Sequence, residues 1–351
     1  MKTRTYVALM LTVILILSVG LTALYVHVEQ KTTDKEDATV SIVTSFYPLY
    51  TLALNLTKDV QEVQVVNMSE PQTGCLHDYQ MTPEDMRLLS TADIFLVNGG
   101  GIESFLPDVQ EEYKDLNIIT ATSKLDLISD EDKHEEDEHQ EDEHEEDGHE
   151  DGHEDGHSED AHHEHDHGLN AHAWMSVANY RMMVQYVAEE LAKVDSDHAK
   201  EYMANAQVYD TKLAQLSLIE EQLKKQLREQ YEDPSAENTV PVVIFHEAFA
   251  YLANELGWDV KYCLDLDEER QLSAGEVAET LDMIHGTGTR FILAEATYGS
   301  DMGKTAEEET EAIVFYLNPL TRAGDYEGDP ADYYLVEMQK NLQLIMQEVN
   351  E

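Results

Sequence analysis

"DHAKEYMANAQVYDTKLAQLSLIEEQLKKQLREQY", residues 197–231, is the stretch that organises the rest of this chain. Its apolar residues recur at spacings of three and four, which predicts a single amphipathic helix. That helix would be far longer than the average helix of a globular protein, which has about 12 residues. Pro234, in a short polar segment, ends the helical pattern. We interpret this helix, over residues 196–231, as a rigid spine between two domains.

Strands and helices alternate on both sides of the long helix. Runs with strand character, such as VQEVQVVNM (60–68) and RFILAEA (290–296), are separated by segments with helical spacing such as TPEDMRLLSTA (82–92). This alternation predicts parallel sheets covered by helices. We therefore expect an α/β protein of two lobes, residues 40–193 and 238–351, joined by the one long helix.

The chain is strongly acidic, with 73 Asp and Glu against 22 Lys and Arg in 351 residues and a formal net charge of −51. Such a field repels nucleic acid and anionic headgroups and attracts cations, so we expect no nucleic-acid partner. Residues 130–167 hold 21 of the acids, and the remainder of the chain is acidic in its own right. A solvated surface accounts for most of that remaining charge.

The N-terminus, residues 1–28, has the pattern of an export signal. Basic residues in MKTRT precede a continuous apolar run from Tyr6 to Val26. The run fits a signal peptide cleaved after Gly20, and it is also long enough to remain as a membrane anchor. The lack of a cysteine in this run argues against a lipid-modified N-terminus. We expect an exported protein, in the periplasm or at the extracellular face of the cytoplasmic membrane.

The chain has two cysteines, Cys75 and Cys263. Outside the cytoplasm such a pair can persist as a disulfide. The two residues are far apart in the sequence, and nothing in the sequence shows that they meet. A disulfide and two free thiols are therefore both compatible with it.

Three isolated histidines are candidate metal ligands. His77 comes after a predicted strand, His246 closes the apolar strand VPVVIFH, and His172 follows an acidic, histidine-rich segment. Ligands bind at the carboxyl ends of the strands in open parallel sheets. Neutral imidazole is the commonest metal-binding side chain, and three of them leave one position of a tetrahedral zinc site open. A single histidine is more often structural, so the prediction depends on the three together.

The fourth position has several candidates. Glu295 ends the predicted strand RFILAE and is the best-placed acid, either as a ligand or as an outer group that orients an imidazole. Glu247 follows His246 directly and could as easily point away from the site. Water or an acid from a neighbouring loop would also complete the site, and the sequence leaves these alternatives open.

Several spaced motifs occur in the order found in one known family. They are HDYQMTPEDMRLLSTADIFLVNGGGIESFL (77–106), NAHAWMS (170–176), FHEAFAYLANELGWD (245–259), FILAE (291–295) and YLNPL (316–320). Together they resemble the metal-binding subunits of ABC importers, typified by the zinc-binding periplasmic proteins and their manganese relatives. The resemblance covers about residues 40–350, apart from the histidine-rich segment.

This resemblance implies a ligand set and a metal. The family ligands carry over onto His77, His172 and His246, in a cleft between the two lobes. Manganese members resemble this pattern but have Glu at the position of His246 and Asp at the position of Asn318. Because nitrogen-rich coordination suits zinc, we expect Zn²⁺ rather than Mn²⁺. The implied partners are an ABC permease and its ATPase subunit, and the implied binding subunit is a monomer.

This chain departs from the family pattern in two places. Asn170 and Ala171 replace an Asp-Pro pair before His172. Thr321 stands where some zinc members have a Glu, which leaves the fourth ligand open between Glu295, water and a neighbouring acid.

The histidine-rich segment, residues 130–168, is predicted to be a disordered loop. Between 134 and 167 its only apolar residue is Ala161, so it cannot contribute to a core. Its ten histidines are predicted to be weak auxiliary ligands that collect or sense zinc: His134, His139, His144, His149, His153, His157, His162, His163, His165 and His167. The alternative is a solvated acidic linker with incidental histidines.

Other functions also fit parts of the sequence. A zinc hydrolase would need an open coordination position and a general base, but the usual His-Glu-x-x-His signature is absent because Ala250 occupies its last position. We therefore expect that the protein is not an enzyme. A binding subunit for manganese or another divalent metal, a surface adhesin of the same fold, and simple metal storage by the loop remain as alternatives.

Overall fold

The computed structural model describes residues 40–69, 79–129, 168–231, 240–266 and 271–349. The N-terminal apolar run, Cys75, His77 and the ten histidines of the acidic segment lie outside these ranges. Within them, no helix has the length and apolar character needed to span a membrane. The predictions about export, the disulfide and the disordered loop therefore stay predictions.

The first lobe alternates strands with helices, as the sequence predicts. In chain order its elements are β1 (Val40–Thr44), α1 (Tyr47–Leu56), β2 (Val63–Asn67), α2 (Pro83–Leu89), β3 (Ile94–Val97), α3 (Leu106–Glu112) and β4 (Asn117–Thr120). The strands form one parallel sheet in the order β2-β1-β3-β4. All of β3 is buried, as expected for a strand covered on both faces.

Two long helices follow, α4 (Val177–Val194) and α5 (Ala199–Tyr231), after a short 3-10 helix (Ala173–Met175). The 33 residues of α5 are one continuous helix, which confirms the predicted spine. Near its start, Asn205 Nδ2 donates to the carbonyl oxygens of Leu56 and Lys58 in the first lobe, at 2.9 and 2.8 Å. At its end, the ring of Tyr231 packs edge-on against Phe291 of the second lobe, with ring centroids 5.1 Å apart.

The second lobe repeats the architecture of the first. Its elements are β5 (Val240–Ile244), a 3-10 helix (Glu247–Phe249), α6 (Ala250–Glu255), β6 (Trp258–Cys263), α7 (Ala274–Thr287), β7 (Phe291–Glu295), α8 (Ser300–Glu309), β8 (Ile313–Leu317), a 3-10 helix (Pro330–Asp332) and α9 (Tyr333–Val349). Its strands are parallel in the order β6-β5-β7-β8, the same order as in the first sheet. The sequence prediction of two α/β lobes is confirmed.

A group of buried tyrosines lies where α4, α5 and α9 meet. The rings of Tyr180 and Tyr334 stack with centroids 3.6 Å apart and planes 11° apart, and both residues are completely buried. Their hydroxyls donate to the carbonyl oxygens of Pro48 and Trp174 at 2.9 and 2.7 Å. Buried tyrosines usually find such a partner for their polar end. The core therefore extends to the segment that directly follows His172.

Candidate metal site

His172 lies on a segment that is attached to both lobes. Its side chain is completely buried, and the residue comes directly before the short 3-10 helix that precedes α4. From the end of β3, Asn98 Nδ2 donates to the carbonyl oxygen of Ala171 at 2.9 Å. On the other side, Trp174 Nε1 donates to the carbonyl oxygen of Pro319, after β8, at 2.9 Å. These contacts fix the position of His172 relative to both sheets.

Asn170 and Glu247 orient the imidazole of His172. Oδ1 of Asn170 accepts a hydrogen bond from the backbone N of His172 at 3.0 Å and lies 3.2 Å from its Nδ1. Oε1 of Glu247 lies 3.3 Å from the same Nδ1. Because both neighbouring atoms are acceptors, Nδ1 carries the hydrogen, and the buried Nε2 presents its lone pair. Nε2 is therefore the nitrogen of His172 that can bind a metal ion.

Asn170 also links the two lobes directly. Its Nδ2 donates to the carbonyl oxygen of Glu247 at 2.9 Å, and its own carbonyl oxygen accepts from the hydroxyl of Tyr251 at 2.7 Å. That hydroxyl in turn accepts from the backbone N of Ile128 at 3.0 Å. In the sequence Asn170 stands out only as a departure from the family pattern. Its contact with the backbone N–H two residues on is an Asx turn, which Asn favours whatever residue follows at that position.

His246 and Glu295 meet because β5 and β7 are neighbouring strands. His246 follows β5, Glu295 ends β7, and both side chains are almost completely buried. Nδ1 of His246 and Oε2 of Glu295 are 3.7 Å apart, which is too long for a hydrogen bond. Two atoms bound to one tetrahedral zinc ion, with bonds of about 2.0–2.1 Å, would lie about 3.4 Å apart. The spacing therefore suits a shared ion better than a direct hydrogen bond.

Arg322 faces the other oxygen of the Glu295 carboxylate. Its Nη2 lies 3.9 Å from Oε1 of Glu295, and its Nη1 donates to the hydroxyl of Tyr298 at 3.2 Å. The guanidinium thus helps to hold the carboxylate toward His246. Sequence reasoning missed Arg322, because the pair forms between the end of β7 and the loop that follows β8.

The two histidine rings complete the described part of the site. The ring centroids of His172 and His246 are 5.3 Å apart and their planes are nearly perpendicular. The structure therefore brings together His172, His246 and Glu295, whereas His77 lies outside the described ranges. Among the residues that are described, no group of three or more His, Cys, Asp or Glu side chains is arranged to hold a metal ion. The four-ligand set remains a prediction that needs His77.

A cavity of about 790 Å³ lies between the lobes beside Glu295. Glu295 and Arg322 of the second lobe line it, as do Tyr47 and Ser69 of the first. Ser69 is the last described residue before the segment that contains His77. Of the predicted ligands that the structure describes, Glu295 is therefore the one that lines the cavity.

The side chain of Asn318, the residue that the family resemblance contrasts with an Asp, forms hydrogen bonds within a turn. Its Oδ1 accepts from the backbone N of Leu320 at 2.8 Å, and its Nδ2 donates to Oε2 of Glu337 at 3.3 Å. Leu320 has a φ of 64°, in the left-handed region, so this turn needs the support. The amide of Asn318 thus shapes the loop after β8.

Comparison with known proteins relates this chain to metal-binding proteins. A family model described as "Zinc-uptake complex component A periplasmic" matches residues 42–348. The manganese-binding lipoprotein MntA of Halalkalibacterium halodurans is 24% identical over 328 residues, which cover 93% of this chain and 94% of that protein. The high-affinity zinc uptake system protein ZnuA of Bacillus subtilis is 26% identical over 313 residues, which cover 88% of this chain and 87% of that protein.

The fold is also found among solved structures. The SBP FpvC of Pseudomonas aeruginosa, in complex with Ni²⁺, matches with a TM-score of 0.65 and 22% identity, over 89% of this chain and 97% of that one. At this identity the likeness shows a shared two-lobed fold and leaves the choice of metal to the residues of each protein.

Proposed function

Because this chain belongs to the family of zinc-uptake complex component A, periplasmic, we propose that it captures zinc outside the cytoplasm and delivers it to an ABC importer. The family supplies the metal-binding component of ABC metal uptake, which works with a permease and an ATPase and is not an enzyme. The relatives are named for zinc, manganese and iron. The residues of this chain must therefore decide which metal it binds.

The buried pair of His172 and His246 is the observation that supports zinc. Their rings are 5.3 Å apart, and the nearest carboxylate to His246 is that of Glu295, at 3.7 Å. With His77 as a third imidazole, the site would have three nitrogen donors and one oxygen donor. Zinc accepts such a tetrahedral set, whereas manganese prefers harder oxygen donors.

Competitive metal titration of the exported domain tests this proposal. We expect one tightly held Zn²⁺ in the wild type and its loss in His246→Ala and in His172→Ala. The control is His285→Ala, because His285 is exposed at the end of α7, outside the described cluster. Tight retention of manganese instead of zinc, or a His246→Ala variant that keeps its tight zinc, would contradict the proposed site.

The role of Glu295 has its own test. If Glu295 is the fourth ligand, Glu295→Gln will weaken zinc binding, and X-ray absorption will show a change in the atoms that coordinate the zinc ion. If Glu295 only orients His246, the variant will keep the coordinating atoms of the wild type, with water in the fourth position in both proteins. The 3.7 Å separation from His246 favours the first outcome.

We propose an accessory role for the histidine-rich segment 130–168. Ser129 and Leu169, at its two ends, pair in an antiparallel bridge, and the backbone N of Asn170 donates to the carbonyl oxygen of Ile128 at 2.8 Å. The two residues that flank the segment therefore both lie close to the part of the chain that carries His172. Many weak ligands attached there would raise the local zinc concentration beside the cleft.

Three further points complete the proposal. The protein would be exported, either released or held at the membrane by residues 6–26, and relatives named as lipoproteins agree with attachment to a membrane. It would work as a monomer. An adhesin role is an alternative that a binding assay on extracellular matrix proteins would test.

A further inference from the structure

Glu220 is a buried acid in the middle of the spine helix α5. Only 2% of its surface is exposed, which is rare for a charged side chain. It occupies a position in the apolar stripe of α5 that includes Leu216 and Leu223. Its burial, and secondly the neighbouring carboxylate of Glu255, raise the pKa of Glu220 to about 9. Burial therefore favours the protonated form of Glu220.

Glu255, the last residue of α6, is within hydrogen-bonding reach of Glu220. In the described part of the chain, no donor faces Oε1 of Glu220 or Oε2 of Glu255, although both atoms are buried. A buried acceptor without a donor is costly. One proton held between the two carboxyl groups would give both oxygens a partner.

The charged and titratable groups around Glu220 and Glu255 offset the negative charge of the two carboxyl groups only in part. Lys224, on the same helix, forms an ion pair with the adjacent Glu221 at 2.9 Å. Arg181 of α4 forms one with Asp210 at 2.7 Å. Tyr334 of α9 is neutral, because burial and then the nearby acids raise its pKa well above its usual range. Both cations near the pair are thus already bound to other carboxylates.

Glu255 connects the helices that follow both histidines of the site. It ends α6, the helix that begins just after His246. Its Oε1 accepts from the backbone N of Ala178 at 3.1 Å, in the first turn of α4, which begins just after His172. Through Glu220 the same side chain reaches the spine. One carboxyl group therefore joins the two ligand-bearing segments to the long helix.

We propose that Glu220 and Glu255 share one proton and thereby act as positioning residues, a clamp that sets the spacing of His172 and His246 for the metal ion. The proposal rests on the proposed function only for the identity of the ligands. Loss of the proton would place two like charges side by side in a buried contact, which would then separate. The distance between the two imidazoles would then be held less firmly.

The expected pH dependence has a definite sign. The folded-state pKa of Glu220 is raised to about 9, above the value of about 4.3 in an unfolded chain. The stabilisation is therefore complete below the unfolded value and is lost as the pH rises through the folded value. Both stability and metal affinity should decrease toward alkaline pH.

The first experiment uses the metal-free protein and compares Glu220→Gln with Glu229→Gln. Glutamine at position 220 imitates the protonated acid, and the control removes a carboxylate from an exposed residue of the same helix whose ion-pair partner, Lys225, is also exposed. Infrared spectroscopy at neutral pH should show more protonated carboxyl absorption in the wild type and in the control than in Glu220→Gln. The comparison is a difference because Glu103, another buried acid whose pKa is raised by burial, can contribute in all three proteins. The urea midpoint of the wild type and of the control should decrease between about pH 6 and 10, and the midpoint of Glu220→Gln should decrease less.

Equal protonated carboxyl absorption in the wild type and in Glu220→Gln, or a Glu220→Gln variant whose urea midpoint follows the wild-type decrease, would overturn the proposal. If Glu220→Gln does not fold, Glu255→Gln replaces it. Its amide can donate to Glu220 while its carbonyl oxygen keeps the bond from Ala178.

The second experiment measures Zn²⁺ affinity by competition at two pH values. We expect the dissociation constant of the wild type and of Glu229→Gln to rise about tenfold between about pH 7.5 and 10, relative to Glu220→Gln. Equal changes in all three proteins would overturn the positioning role. If no protein binds zinc tightly, the proposed function fails, while the infrared and urea results still decide whether the proton is shared.

Discussion

Tyr334 donates its hydroxyl hydrogen to the carbonyl oxygen of Trp174 across 2.7 Å, so the last helix of the chain holds the segment that carries His172. Because that carbonyl is buried, Tyr334→Phe should lower the free energy of unfolding by about 1–3 kcal/mol, measured by urea denaturation. The control is Tyr186→Phe on α4, where the side chain is only partly buried. If the two changes lowered the free energy of unfolding equally, the buried hydrogen bond of Tyr334 would contribute no more than the hydroxyl of Tyr186.

Asn170→Ala should weaken zinc binding without unfolding the protein. The change removes the oxygen that accepts from the backbone N of His172 and orients its Nδ1. Loss of such an orienting partner typically costs about 10- to 100-fold in metal affinity. Asn170→Asp is the matched variant, since it keeps an acceptor at the same place and should retain most of the affinity. A zinc titration in which Ala and Asp at this position behave alike would contradict this role.

Deletion of residues 134–167 should leave one tight zinc site and remove several weaker ones. The remaining residues, 130–133 and 168, can connect Ser129 to Leu169 because those two already pair across a bridge. Isothermal titration with zinc would separate the tight class of sites from the weak class. A deletion variant without the tight site would mean that the segment contributes to it, and an isolated loop peptide that binds as tightly as the whole protein would favour storage.

His198 should stabilise the protein more at acid than at alkaline pH. Its Nδ1 lies 2.7 Å from Oδ2 of Asp195, and this hydrogen bond raises the pKa of His198. A folded pKa above the unfolded value gives stability that is complete below the unfolded pKa and is lost as the pH rises through the folded one. His198→Gln should therefore reduce the urea midpoint more at about pH 5.5 than at about pH 8.5. His285→Gln is the exposed control, and a larger loss at the higher pH would refute the argument.

The sequence predicts most of the fold because the relevant signals are local. Apolar spacing predicts the helix Ala199–Tyr231, and alternation of short apolar runs with helical segments predicts two parallel sheets. The helix Leu106–Glu112 was not predicted, since it is short and buries only Val109. A helix with a single buried residue shows no repeat of apolar residues at spacings of three and four, so its sequence gives no helical signal.

The site is predicted only in part, because its geometry depends on contacts between distant segments. The rule that ligands collect at the carboxyl ends of parallel strands is enough to place His246 beside Glu295. The orientation of Glu247 toward His172 and the pairing of Arg322 with Glu295 are set by how loops fold back, which no local pattern records.

Glu220 is a different case, since its signal is present in the sequence. It falls on the apolar stripe of the spine helix, with Leu216 before it and Leu223 after it. A charged residue at such a position indicates a buried acid that needs a partner. The identity of that partner, Glu255, depends on the packing of α6 against α5 and could not be read from spacing.

The bridge between Ser129 and Leu169 has a consequence for how this protein can vary. Because these two residues already lie together, a longer connection between them costs little, since each doubling of a flexible loop adds only about 0.6 kcal/mol of closure entropy. Under the proposed accessory role, insertions or losses between them would change the number of histidines without changing the residues of the cleft. The capacity to gather metal and the affinity of the final site would then be independent quantities, and selection or design could adjust one without altering the other.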